Sequence, residues 1–353
     1  MEVHWFLPTA GDGHGITSGG QAASTVDTER PPDLGYLALV ARAAERLGFE
    51  GVLTPTGTFC EDAWLTTAAL IGETSTLKFL VAFRPGFLSP TLAAQMASTY
   101  QRISGGRLML NIVTGGQSTE QRRFGDWLDH DQRYARTAEF VSVLRGAWSG
   151  TPFDFAGDHY RVAGATVRAV PDPVPPLFFG GSSPPALRVA AEHVDTYLTW
   201  GEPPDAVAAK LAAVRALTDR RLTYGIRLHV ITRDTADEAW AAARALLDRV
   251  PEAAVTAARE RYARTESEGQ RRMAQLAGGD ALEVAPNLWA GFGLVRPGAG
   301  TALVGSHAEV AERLTEYHAL GIDHFILSGQ PHLEEAYRFG EGVLPLLKQG
   351  ASA

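Results

Sequence analysis

Short apolar runs rich in β-branched and aromatic residues recur along the chain, at residues 3–9, 51–56, 77–84, 108–114, 177–181, 196–200, 223–232 and 324–328. Most are apolar on successive positions rather than alternate ones, and most end in Gly, Pro, Ser or Thr, which predicts eight buried strands. Between several of them the apolar spacing changes to that of a helix. The clearest case is Tyr36, Leu39, Val40, Ala43, Ala44 and Leu47, one apolar face stopped by Gly48. Eight buried strands separated by helices predict an α/β protein with a (β/α)8 TIM barrel.

The spacing is uneven. Intervals 115–176 and 233–323 are longer than one crossover helix needs. Both read as insertions in a single barrel domain spanning 1–348, because the pattern resumes after each without a linker-like tract. The second interval carries amphipathic stretches around 235–250 and 253–276, then the glycine-rich segment 287–305, NLWAGFGLVRPGAGTALVG, with Arg296 inside its apolar run. Glycines absorb large φ/ψ changes and a buried arginine needs an anion, so this segment reads as a mobile lid; a surface loop with a solvated arginine is the plainer alternative. Residues 11–23 are expected to form a flexible loop after the first strand, and the tail 349–353 to fray.

Composition narrows the function classes. Of 353 residues, 45% are hydrophobic and 20% charged, which excludes a largely disordered chain. The net charge of −8, with no lysine/arginine run, argues against nucleic acid or an anionic membrane surface as partner. No segment approaches the roughly 18 apolar residues of a membrane span, the N-terminus lacks a signal-peptide pattern, and one cysteine permits no internal disulfide; a cytoplasmic protein is expected. The ten histidines are scattered, with no HExxH, no cysteine pair and no carboxylate cluster at ligand spacing, so no metal site is expected.

Barrel chemistry sits at the C-terminal ends of the strands. The polar residues there are Asn111 and Thr114, Ser182 and Ser183, Trp200, Arg227 and His229, and Ser328. Phe178-Phe179-Gly180-Gly181-Ser182-Ser183 reads as strand, glycine pair and hydroxyls at a helix start, a setting that favours a phosphate, although either serine would serve equally as an N-cap. Tyr134 offers a further hydroxyl or is a core residue, and Cys60 either faces the pocket or is a packed, unreactive thiol.

Seven blocks then carry a resemblance. PTGTFCEDAW (55–64), LDHDQRYARTAEF (128–140), PPLFFGGSS (175–183), TYLTWGEPP (196–204), GIRLHVI (225–231), the arginine loop and PHLEEAYR (331–338) closely resemble FMNH2-dependent alkanesulfonate monooxygenases of the bacterial luciferase-like superfamily, in register over nearly the whole chain. The resemblance implies a two-component system in which a separate NAD(P)H:FMN reductase supplies reduced FMN. With dioxygen as cosubstrate, the C–S bond of an alkanesulfonate is cleaved to aldehyde and sulfite. It also implies a homodimer or homotetramer. Carried over by position, Arg227, His229, Trp200 and Cys60 match pocket residues, Arg296 the lid arginine, and His332 the histidine after the eighth strand. Asn111, Thr114, His130, Tyr134, Ser182 and Ser183 match positions around the flavin. A sulfonate stays ionised, so arginines suit it as anchors. Three positions depart from the pattern: Gln330 stands where members typically have tyrosine, Ala10 where they have histidine, and Thr58-Phe59 where they have Arg-Ser. These departures keep open the same flavin barrel acting on a sulfone, a sulfinate or another heteroatom compound, or binding flavin without turnover.

Overall fold

Each apolar run forms a strand. The strands are β1 (Glu2–Phe6), β2 (Gly51–Thr54), β3 (Lys78–Phe83), β4 (Leu108–Ile112), β5 (Leu177–Gly180), β6 (Thr196–Trp200), β7 (Thr223–Arg233) and β8 (His324–Ser328). In this computed structural model, which describes residues 1–18 and 29–350, they pair in parallel from β1 through β7. β8 lies between β7 and β1 and closes the ring. The structure is therefore the closed eight-stranded α/β barrel that the hydrophobic pattern predicts. Inward-facing Leu53, Leu80, Met109, Phe178 and Ile326, with Phe6 and Leu198 against them, form an apolar plug across its middle. Such a plug makes the barrel a packed core, with chemistry confined to its rim.

The helices outside follow from local signals. Leu34–Leu47 starts at Asp33, whose side chain accepts from the Tyr36 N–H, and stops at Gly48, in the left-handed region at φ 89°. Its buried face runs through Leu37, Val40, Ala41 and Ala44; Leu39, expected on that face, is exposed, because the helix packs one position round from the predicted stripe. Asp129 and Gln132 form a capping box that starts His130–Ala147.

β7 is 11 residues long and shapes the mouth of the barrel. Its first part pairs with β8 through Gly225–His229, and its last part, His229–Arg233, carries the strand Ala302–Ser306 instead. Leu288–Trp289 and Glu283–Ala285 add to that strand in turn. The segment 287–305 is thus strand at both ends, and its irregular part is confined to 290–301, including a 3-10 turn at Gly291–Leu294. Upstream, two helical stretches were expected and three helices are present, Ala236–Leu247, Glu252–Ala263 and Glu268–Ala277. The break before the third arises because the Ser267 side chain caps it, accepting from the Gln270 N–H.

Residues 19–23 of the expected flexible loop and 351–353 of the expected fraying tail lie outside the described residues. Among the described residues no helix is long and apolar enough to cross a membrane. Histidines scattered in sequence are not all scattered in space: the β1–β8 pairing puts His4 and His324 beside Glu2 at the N-terminal end of the barrel.

Candidate active site

At the C-terminal ends of the strands two joined cavities of about 230 and 320 Å³ open above the plug. They share Leu53, Asn111, Val113, Trp200 and Arg227 as common wall. Trp200, at the end of β6, lies under the first turn of Glu268–Ala277. A Cβ on Gly269 would sit 3.1 Å from its ring, so a glycine lets that helix close down on the indole.

The smaller cavity is lined by Thr114, His130, Tyr134, Ser182 and Ser183. Its floor is the turn after β5, where a Cβ on Gly181 would meet Ala186 Cβ at 2.5 Å and the Tyr134 hydroxyl at 3.2 Å. Ser183 stands at the N-cap position of Pro184–His193 but makes no cap bond. Its Oγ is buried and makes no hydrogen bond to the helix start, with the Tyr134 hydroxyl as the side chain that acts on it. Leaving a buried hydroxyl unsatisfied costs about 1–3 kcal/mol, which a ligand oxygen would recover. Pro184 and Pro185 remove two of the free amides on which a helix N-terminus relies to hold an anion, so here the hydroxyls must do more of that task. The capping box before His130 places His130 and Tyr134 one turn apart, ring centroids 4.8 Å from each other. Burial raises the pKa of Tyr134, which stays a neutral hydroxyl.

The larger cavity is lined by Arg84, Arg227, His229, Arg296 and His332, with Phe6 below. Arg227 Nη2 donates to Ser328 Oγ at 2.7 Å, Ser328 Oγ is 2.8 Å from His229 Nδ1, and His229 Nε2 is 3.0 Å from the Ala299 carbonyl. A guanidinium only donates and a carbonyl only accepts, so Ser328 gives its proton to Nδ1 and His229 is neutral with its proton on Nε2. Burial, with the charge of Arg227 added, holds its pKa well below the ordinary 6.5. Phe292 stacks on the same ring at 4.0 Å and 5°. With both nitrogens engaged, His229 is a strut between β7 and the 290–301 segment.

That segment brings Arg296 to the cavity. Arg296 Nη1 donates to Gln330 Oε1 at 2.9 Å, and Gln330 Nε2 donates to the Gly13 carbonyl at 2.6 Å and to Asp12 Oδ1 at 3.2 Å. Asp12, fully buried, also takes the His332 N–H at 2.8 Å and faces His332 Nδ1 at 2.9 Å. Although burial opposes it, the His332 charge and hydrogen bonds from His332 and Tyr36 hold the Asp12 carboxyl below the usual carboxylate range. Arg227 lies 4.9 Å over the Phe6 ring and has no carboxylate within ion-pair distance among the described residues. Burial, then repulsion from Arg296, pushes its pKa down to about 9, and a bound anion would reverse that. Arg84 bonds Glu120 at 2.7 Å through Nη2, while its Nε and Nη1 are buried without partners.

The structure therefore gathers around these cavities eleven of the twelve residues carried over by the resemblance. The exception is Cys60, which lines neither. Its thiol lies near the carbonyls of Pro55 and Gly57, and burial pushes its pKa up to about 12, the state of a packed thiol rather than a nucleophile. Sequence reading missed Arg84, Asp12 and Lys210. Lys210 lines the smaller cavity and bonds Thr199 Oγ1 and Glu202. Its signal was present: it shares the apolar face of Pro204–Arg215 with Val207, Leu211 and Val214, where a lysine needs a buried partner. Arg84 closes an apolar run in the same way. Asp12 carried no signal, because its partners are Tyr36 and His332.

A model of the family described as luciferase-like monooxygenase matches residues 1–324. Among solved structures, riboflavin lyase (RcaE) with modified FMN and riboflavin superposes with a TM-score of 0.82 at 20% identity, covering 100% of this chain and 92% of that one. Long-chain alkane monooxygenase (LadA) gives 0.78 at 18%, covering 99% and 92%. EDTA monooxygenase (EmoA) from Chelativorans sp. BNC1 gives 0.74 at 18%, covering 99% and 94%. At such identities the likeness to these structures is one of fold.

Proposed function

The chain belongs to the luciferase-like monooxygenase family, and on that premise we propose that it is a two-component FMNH2-dependent monooxygenase that cleaves the C–S bond of a small alkanesulfonate. The observation that carries the substrate class is the larger cavity, where Arg227 has no carboxylate within ion-pair distance and Arg84 and Arg296 also line the wall, with Glu120 the one lining carboxylate among the described residues. An apolar-walled cavity with that balance suits a small organic anion with a short hydrocarbon tail.

The smaller cavity fits the flavin. Ser182, Ser183 and Tyr134 would take the phosphate, with the orphaned Ser183 Oγ as the clearest donor, and Asn111 and Trp200 would flank the ring where the cavities meet. When bound, reduced FMN supplies the two electrons that, with dioxygen, oxygenate the substrate. In the overall reaction the sulfonate, dioxygen and FMNH2 give an aldehyde, sulfite, FMN, water and a proton. One dioxygen atom ends on carbon, and sulfite leaves with the C–S electron pair. The share of this chain is to hold the anion through Arg227 and Arg296, to position the reactants through Trp200 and the His229 strut, and to exclude water with the 290–301 segment. Gln330 cannot act as an acid, because an amide does not titrate in the useful range; it orients Arg296.

The test is sulfite release by purified protein with a generic NADH:FMN reductase, FMN and dioxygen, offered alkanesulfonates from methane- to decanesulfonate. Sulfite above the enzyme-free control is expected. Absence of sulfite with FMNH2 binding intact would overturn the substrate and move the reading to sulfones or sulfinates.

A further inference from the structure

At the opposite end of the barrel, below the apolar plug, three metal-ligating atoms face one another. Glu2 and His4 are alternate residues of β1 and share its inward face, and His324 lies opposite Glu2 in the β1–β8 register. His4 Nε2 is 3.2 Å from His324 Nδ1 and 3.9 Å from Glu2 Oε2, and His324 Nδ1 is 3.4 Å from Glu2 Oε2. We propose that Glu2, His4 and His324 form a binding site for a divalent transition metal of the zinc class, which staples the first strand of the barrel to the last.

Bonds of about 2.0–2.1 Å at tetrahedral angles put neighbouring ligand atoms about 3.3–3.4 Å apart. Two of the three observed edges already lie within about 0.2 Å of that. The third is longer by about half an ångström, and it involves the side chain of Glu2, which is 46% exposed and has room to adjust. The two histidines are held without a metal: their rings stack at 5.4 Å, and Phe178 meets His324 edge-on at 5.1 Å. Protons satisfy this arrangement poorly. A single N–H on His324 Nδ1 has to serve both His4 Nε2 and Glu2, and the opposite tautomer leaves Glu2 facing a lone pair. Lys78, whose charge acts on Glu2 and His4, is itself paired with Glu50. Two imidazoles and one carboxylate suit zinc or cobalt rather than magnesium or calcium. The exposed edge beside Glu2 leaves the fourth position to water.

The apolar plug separates this floor from the cavities at the rim, so the site is distinct from the proposed flavin chemistry and stands whether or not that reading holds. Its consequence is structural. A metal here ties residues 320 positions apart in sequence, at the junction that closes the barrel.

Untagged, chelator-treated full-length protein is titrated with Co2+ and then Zn2+. One equivalent of Co2+ with the intense visible bands of tetrahedral cobalt is expected, displaced by Zn2+, with the unfolding midpoint raised by a few degrees at about a hundredfold excess of zinc over its Kd. Glu2→Gln and His324→Ala should each weaken binding at least about tenfold, while FMNH2 binding at the rim is unchanged. Glu2→Gln alters an exposed side chain and keeps the test valid if His324→Ala folds poorly. Absence of tetrahedral bands up to about 100 µM Co2+ would overturn the site, as would binding that persists unchanged in Glu2→Gln.

Discussion

Arg296 and His229 show how little a residue type says about its task until its partners are known. Arg296 is oriented at the larger cavity by the amide of Gln330, whose Oε1 accepts from its Nη1 at 2.9 Å. Arg296→Ala should therefore cut sulfite formation at least about tenfold and raise wasted hydrogen peroxide, with FMNH2 affinity changed less than about twofold; unchanged coupling, measured as sulfite per NADH, would remove Arg296 from the anion site. His229 is neutral because burial dominates, so its pKa in the fold lies well below 6.5. Below pH 6.5 the unfolded chain binds a proton there that the native state refuses, and stability is lost as pH falls, by up to about 1.4 kcal/mol per pH unit from this group. Urea midpoints at pH 7 and pH 5 should show a smaller loss in His229→Gln than in the wild type.

At the scale of elements, the two strand-to-helix connections at the rim divide the work. After β5, Ser183 stands at the N-cap of its helix without making a cap bond, which leaves its buried hydroxyl for a ligand. Ser183→Ala should leave the unliganded protein as stable as before or slightly more so, since a buried unsatisfied group is removed, while FMN binding weakens about tenfold. Loss of stability without loss of FMN affinity, read by thermal unfolding and fluorescence titration, would return Ser183 to a structural role. The 290–301 segment depends on backbone contact between its two arms: Gly293 donates to the Gly300 carbonyl at 2.8 Å, and a Cβ on Gly300 would lie 2.7 Å from Gly293 Cα. Gly300→Ala should push the arms apart, withdraw Arg296 and reproduce the uncoupling of Arg296→Ala without touching the cavity. Wild-type sulfite yield in that variant would show that the segment tolerates the added methyl group.

For the whole molecule, net charge and site charge point in opposite directions. The chain carries −8 overall, yet its larger cavity concentrates arginines. The local field decides what binds, because low-dielectric walls focus it and bulk charge is screened within about a Debye length of ~8–10 Å. Inorganic sulfate should accordingly inhibit competitively against the organic substrate, more than chloride at equal ionic strength. Equal inhibition by the two salts would mean that screening, not site occupancy, is at work.

The barrel was legible in the sequence because its strands are buried on both faces, and burial writes itself as continuous apolar runs whatever the rest of the chain does. Strand-end residues were legible for the same reason: once the strands are placed, their C-terminal positions follow, and Arg227, His229, Trp200, Ser182 and Ser183 fall on the rim. Other facts depend on distances between residues far apart in the chain. Among them are the engagement of both His229 nitrogens, the partnership of Asp12 with His332, and the meeting of His4 with His324. Hydrophobic periodicity records which face of an element is buried, while hydrogen bonds and charge pairs record which elements meet. Only ring closure, by setting β8 between β7 and β1, decided the second.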